Sequence, residues 1–366
     1  MVSPLVNYPC ALPCAAMRRL LVFFARVGDL VILSPVFRHL ARDGELDLLA
    51  RPWSRPLLEG QPGISQIHTL AKPNAGWFTR LVHGNEHRHL EPRLIARRYD
   101  EIITFAEERQ QVQQWIADWA GSAVRRSLSR SQPHAPRHQV DANRNALEFG
   151  GFPTDGFVPT PALVVTPAQS ERARARLSPL GSRVLAVQAG SSLTHRWLRK
   201  QPNLKGLTHQ QWGELLNHLF ASNAIDAVVL HGSAPEGREA RAIRSEVTPR
   251  WRERTYDWTG QVPLGDLPAV LASSYATVSV DTGPAHIAAA VGCPLVVIFG
   301  PTDPAIFGPR GPGEVEIVVG SAPCQFCHAS TLFKRCRANI CLTTMRHDTL
   351  VAAWERLMAR TTTPRR

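Results

Sequence analysis

Strand-length apolar runs alternate with helical periodicities from one end of the chain to the other. Runs at 20–25 (LLVFFA), 46–50, 64–70 and 101–105 read as strands in the first half. Runs at 162–166, 184–188, 227–231, 277–280 and 295–299 read as strands in the second. Several are apolar at every position, as expected of parallel strands covered on both faces. Between them, Thr208 and Gln211 make a capping box ahead of Trp212, Leu215, Leu216, Leu219 and Phe220. That i, i+3, i+4, i+7, i+8 spacing lays one apolar stripe along a helix. Leu264, Leu267, Val270 and Leu271 mark another helix, and Pro284 and Gly292 bracket a third at its first position and just past its end. A last helix over 348–360 presents Leu350, Val351, Trp354, Leu357 and Met358 on one side.

Strand–helix alternation twice over predicts an α/β protein of two doubly wound, Rossmann-like domains. The length of 366 residues agrees, at roughly 100–200 residues per domain. A Pro- and Gly-rich stretch at 150–167 marks the expected boundary, while the polar segment 106–145 shows no assignable pattern. The expected division is an extension over 1–16, domains over 17–165 and 166–345, and a C-terminal helix and tail over 346–366. No cation precedes Arg18, so the basic start of a signal peptide is missing. Met17, followed by RRLLVFF, reads as the better start, and 1–16 as a disordered extension. No apolar run reaches the ~18–20 residues of a membrane span. A cytoplasmic protein is expected.

Charge adds one constraint. Forty-two Lys and Arg against 30 Asp and Glu give a net +12, and only four of the cations are Lys. The excess is dispersed, at +4 over 1–160 and +8 over 161–366, with no block of five or six like charges. A basic nucleic-acid arm is therefore not indicated, and no nucleic-acid partner is expected. Four of the seven cysteines cluster as Cys324-x2-Cys327-x8-Cys336-x4-Cys341. Tetrahedral zinc is one reading of such a cluster and plain packing the other; the spacing matches no standard ribbon or finger.

The candidate chemistry lies in loops that follow strands. Asp281-Thr282-Gly283-Pro284-Ala285-His286 leaves the strand at 277–280 and opens a helix. Backbone N–H groups at such a helix start bind phosphate, Gly283 admits close approach and His286 can donate a hydrogen bond. An ordinary N-cap is the plain alternative. The strand at 184–188 runs into Ala189-Gly190-Ser191-Ser192, with Arg196, Arg199 and Lys200 beyond; that at 227–231 runs into a loop where Glu236 can take a ribose diol. Ligands of open parallel sheets bind beyond the strands' carboxyl ends, so the three loops together describe a nucleotide-diphosphate site. In the first half, Arg26-Val27-Gly28-Asp29 ends the opening strand, and Asp29 is either a helix cap or a general base facing the cleft. No G-x-G-x-x-G follows that strand and no Asp-x-Asp occurs anywhere.

These segments resemble the lipopolysaccharide heptosyltransferases of glycosyltransferase family 9. The resemblance is carried by 18–40, 48–70, 184–192, 228–236 and, most specifically, 258–309 (WTGQVPLGDLPAVLASSYATVSVDTGPAHIAAAVGCPLVVIFGPTDPAIFGP). It implies a GT-B fold, with an acceptor-binding domain at 17–165 facing a nucleotide-sugar domain at 166–345. It implies inverting, metal-independent transfer of heptose from ADP-heptose to the inner core of a lipid A-linked acceptor, with no cofactor. Asp29 matches the family's catalytic aspartate, Ser191 and Ser192 the donor-phosphate loop, and Glu236 the ribose-binding glutamate. Asp281, Thr282, Gly283 and His286 match the phosphate-binding turn. The family's lysine, which lies after the phosphate loop and before a Trp, has Arg196 in its place, with Lys200 competing for the role. Such a substitution is not conservative where a diphosphate must be neutralised. The anionic, lipid-linked acceptor implies peripheral association with the inner membrane face. The alternatives are a related transferase using another nucleotide sugar and glycan acceptor, or a non-catalytic binder of anionic ligands.

Overall fold

The computed structural model describes residues 17–71, 77–106, 108, 110–131, 137–191 and 204–361. Five parallel strands, β1 (Met17–Val22), β2 (Gly44–Ala50), β3 (Gln66–Thr69), β4 (Glu101–Phe105) and β5 (Val124–Leu128), form one sheet in the order β3-β2-β1-β4-β5. Six more form a second parallel sheet: β6 (Val184–Gln188), β7 (Ala227–Leu230), β8 (Thr255–Asp257), β9 (Ala276–Val280), β10 (Leu295–Phe299) and β11 (Val315–Val319), in the order β11-β10-β9-β6-β7-β8. In each sheet the chain winds outward one way, then returns to the other side of its first strand. The switch points therefore lie between β1 and β4 and between β6 and β9, where such sheets bind ligands. This is the GT-B architecture of two Rossmann-like domains.

The apolar runs do what two-sided burial requires. In β1, Leu21 joins Leu33, Phe37 and Ile103 on one face of the sheet, while Leu20 and Val22 join Tyr99, Ile102 and Trp115 on the other. On the second sheet the capped helix His209–Ala221 buries Trp212, Leu216 and Leu219 against Leu185 and Val228. The last helix, His347–Thr361, adds Leu350, Trp354 and Leu357 to the same cluster. Among the described residues no helix is long and apolar enough to cross a membrane.

Two expectations about elements fail. Residues 162–166 form no strand. Their amides are used singly: Ala162 donates to Ser34 Oγ (3.2 Å), Leu163 to the Ala290 carbonyl (3.1 Å) and Val164 to Gln61 Oε1 (2.8 Å). The segment is an extended connector stitched to both halves, which explains its apolar side chains without a ladder. The unassigned stretch 106–145 holds the helix Gln110–Trp119, the strand β5 and the start of the helix Gln139–Phe149. The proposed 1–16 extension lies outside the described residues.

Candidate active site

Loops from the carboxyl ends of both sheets enclose a cavity of about 790 Å³. Arg26, Val27 and Gly28 enter from the end of β1, and Trp53 from the loop after β2. Facing them, Ser191 follows β6, Glu236 follows β7, and Asp281, Thr282 and Gly283 follow β9. Its volume suits a drug-sized or nucleotide-sized ligand, since such sites run ~300–1,000 Å³. Five of the residues singled out from the sequence thus converge on one space.

One short polar contact in the cavity involves a residue outside the sequence candidates. Lys205 Nζ lies 2.6 Å from Asp281 Oδ2, and Thr302 Oγ1 donates to the same oxygen at 2.6 Å. Burial alone would raise the Asp281 carboxyl, but Lys205 and these hydrogen bonds hold it below the usual carboxylate range. Asp281 therefore stays ionised and fixes an ammonium beside the start of the helix Gly283–Ala290. A cation and the positive end of a helix dipole then share one corner, the arrangement that suits phosphate. Ser192, Arg196 and Lys200, which the sequence offered for this work, lie outside the described residues. Lys205 just precedes the capped helix bearing Trp212. A lysine placed between the phosphate loop and a Trp is the pattern that pointed to Arg196 instead.

Glu236 is buried, and described residues donate to both of its oxygens. Its Oε2 accepts the Ser233 amide (2.6 Å) and hydroxyl (2.8 Å), and its Oε1 accepts Gln188 Nε2 (2.9 Å). Beside it, His231 is enclosed, and burial pushes its pKa down to about 4, leaving a neutral ring.

At the seam between the sheets, two helix starts meet. A Cβ on Gly28 would lie 2.8 Å from His286 Cδ2, and one on Gly283 would lie 2.7 Å from Val27 Cβ. Both glycines permit helix-to-helix approach across the seam. Gly283 also lines the cavity, so this seam contact comes in addition to the close approach expected of it. His286 is buried against Gly28 behind the turn, and neither it nor Asp29 is among the lining residues. Burial lowers the His286 pKa, opposed by Asp281 and Asp29. Asp29 is half-buried on the helix Val27–Ile32, and its Oδ2 accepts the Arg26 amide at 3.2 Å. The capping role is therefore real: from the third helical position the Asp29 carboxylate closes back on the Arg26 amide.

The four clustered cysteines remain free thiols. Among the described residues, no group of three or more His, Cys, Asp or Glu converges as metal ligands. Cys324 and Cys336 lie within electrostatic reach of Cys327 and Cys341, and burial with these neighbours raises the Cys327 and Cys341 thiols.

The sequence profile of glycosyltransferase family 9 (heptosyltransferase) matches residues 121–335, more than half of the chain. The chain belongs to glycosyltransferase family 9. Lipopolysaccharide heptosyltransferase 3 of Escherichia coli is 22% identical over 357 residues, covering 92% of this chain and 98% of that relative. The solved structure of E. coli ADP-heptose lps heptosyltransferase II superposes with a TM-score of 0.73 at 19% identity, covering 95% of this chain and all of that one. E. coli heptosyltransferase WaaC with ADP gives a TM-score of 0.63 at 18% identity, with 93% and 100% covered. As a family 9 glycosyltransferase, the protein carries its cavity where both switch points face each other.

Proposed function

We propose that this family 9 glycosyltransferase moves heptose from ADP-heptose to the inner core of a lipid A-linked acceptor, with inversion and without a metal. The observation that carries this reading is Lys205, fixed 2.6 Å from Asp281 at the start of the helix Gly283–Ala290, in a cavity shared by both sheets. In this scheme the diphosphate lies against Lys205, Thr282 and Gly283, with Ser191 beside it. Glu236 accepts a ribose hydroxyl. The acceptor enters from the first-sheet side, where Asp29 takes the proton of the attacking hydroxyl. The new bond forms at the anomeric carbon as the bond to the β-phosphate oxygen breaks, and the electron pair leaves with ADP. Attack opposite the leaving group inverts that carbon. Lys205 and the helix dipole meet the charge that develops on the diphosphate, an electrostatic contribution of the kind that preorganised donors supply. His286 sits behind the turn in this scheme and holds the seam rather than the ligand. An anionic acceptor suits the basic surface, and docking at the inner membrane face is part of the proposal.

A thermal-shift panel of ADP-, GDP- and UDP-linked sugars, followed by mass spectrometry of a deacylated inner-core acceptor, tests this. ADP-heptose should raise the melting temperature most and add one heptose to the acceptor. Stabilisation by a different nucleotide sugar alone would replace the donor. Binding of none of them, with no transfer, would overturn the reading.

A further inference from the structure

The segment after β11 returns over the carboxyl end of the second sheet as the short turn Cys327–Ala329 and the helix Thr331–Arg335. Two of its side chains, His328 and Phe333, line the cavity. We propose that His328 is a further donor-contacting residue, giving an imidazole N–H to the β-phosphate of the bound nucleotide diphosphate. This rests on the donor reading above and adds a residue to it.

His328 is built in rather than draped over the opening. Its amide donates to the Pro301 carbonyl at 2.9 Å, its ring centroid lies 4.9 Å from that of Phe333, and Ser330 ties the turn through its amide (2.8 Å) and hydroxyl (2.7 Å) to the Cys327 carbonyl. The turn is entered through Phe326 at φ 59°, a left-handed conformation for a bulky residue that is 40% exposed. Such a conformation costs ~1–2 kcal/mol in an L-residue. With 40% of Phe326 exposed, burial offsets that cost only in part, and the strained turn points to a function for what it places. What it places is His328.

The chemistry of that corner favours an anion. Burial lowers the His328 pKa, and Lys205 and Arg26 lower it further against the pull of Asp281. All three groups are thus within electrostatic reach of the ring. Burial, aided by the two cations, favours the neutral imidazole, which holds one N–H to donate. A phosphate oxygen beside Lys205 is the acceptor such a donor finds. As the bond from the anomeric carbon to the β-phosphate oxygen breaks, that oxygen gains charge and the hydrogen bond strengthens.

Calorimetry with ADP and AMP tests the assignment, because only ADP carries the β-phosphate. His328→Ala should raise the Kd for ADP by about 10-fold or more, the range of a hydrogen bond to a charged group, and leave the Kd for AMP within about two-fold. His328→Gln, which keeps an N–H of similar reach, should recover part of the loss. A parallel loss for both nucleotides, or no loss for ADP, overturns the role of His328 while leaving the donor reading intact. Wild-type protein that binds no ADP would overturn both. If His328→Ala does not fold, His328→Phe, which keeps a flat ring without an N–H, decides: a Kd for ADP raised about 10-fold with the Kd for AMP unchanged supports the hydrogen bond, and an unchanged Kd for ADP rejects it.

Discussion

Replacing Lys205 with Met separates what the Lys205–Asp281 pair does for the fold from what it does for the ligand. Both side chains are nearly enclosed, 13% and 8% exposed, and their charged atoms lie 2.6 Å apart. With an effective dielectric of ~20, the gross attraction at that distance is about 6 kcal/mol. Desolvation of both groups cancels much of it. The relevant magnitude is the penalty of leaving Asp281 buried and unpaired, about 3–5 kcal/mol, reduced somewhat because Thr302 still donates to it. Lys205→Met should therefore lose about 3 kcal/mol or more in urea unfolding at pH 8.

The pH dependence has a definite sign. In the wild type the Asp281 carboxyl is held low. Its contribution is present above the unfolded value of ~3.9 and fades as pH falls through the folded one. In the variant, burial without the cation raises the folded value, so the penalty is full at high pH and relaxes as the pH drops and Asp281 takes up a proton. The two stability curves should converge toward pH 4. The double variant Lys205→Met/Asp281→Asn should recover stability but not ADP affinity. A Lys205→Met protein within 1 kcal/mol of wild type at pH 8, or a double variant that binds ADP normally, would refute the reasoning.

Other consequences follow from single contacts. Gly28→Ala gains ~1 kcal/mol of helix propensity but drives a methyl to 2.8 Å from His286 Cδ2, an overpacking worth ~1–3 kcal/mol. The melting temperature should fall modestly, while transfer rate drops further as the seam is displaced; unchanged transfer would count against the seam setting the site. Far from the cavity, Asp226 is pulled to about 2, mainly by hydrogen bonds from the Arg183 side chain and amide. Wild-type stability should decline as pH falls from about 4 toward 2, and Asp226→Asn should flatten that part of the curve in urea titrations at pH 5, 4 and 3.

Sequence pattern reveals most of this fold because its central strands are covered on both faces. LLV in β1 and LVVIF in β10 leave no polar position to confuse the period. Some edge strands escape for the opposite reason. β5 is VRRSL, largely exposed, and β8 is three residues long. The connector at 162–166 imitates a strand because its apolar residues serve a seam rather than a ladder. At the site, Asp281–Gly283 and Glu236 announce themselves by following strands. Lys205 does not, because several cations crowd 196–205 and its pairing with Asp281, 76 residues on, leaves no trace in local spacing. Nor does His328, which reaches the cavity from a cysteine-bearing segment whose path the sequence leaves open.

The central claim is that Asp29 acts on an acceptor while the opposite wall holds the donor. The most direct measurement compares Asp29→Asn with wild type in two assays, heptosyl transfer from ADP-heptose and ADP binding by calorimetry. The account expects transfer to fall by about 10²–10⁴-fold, the worth of a placed general base, with the Kd for ADP unchanged. Undiminished transfer, or loss of ADP binding together with transfer, would contradict it.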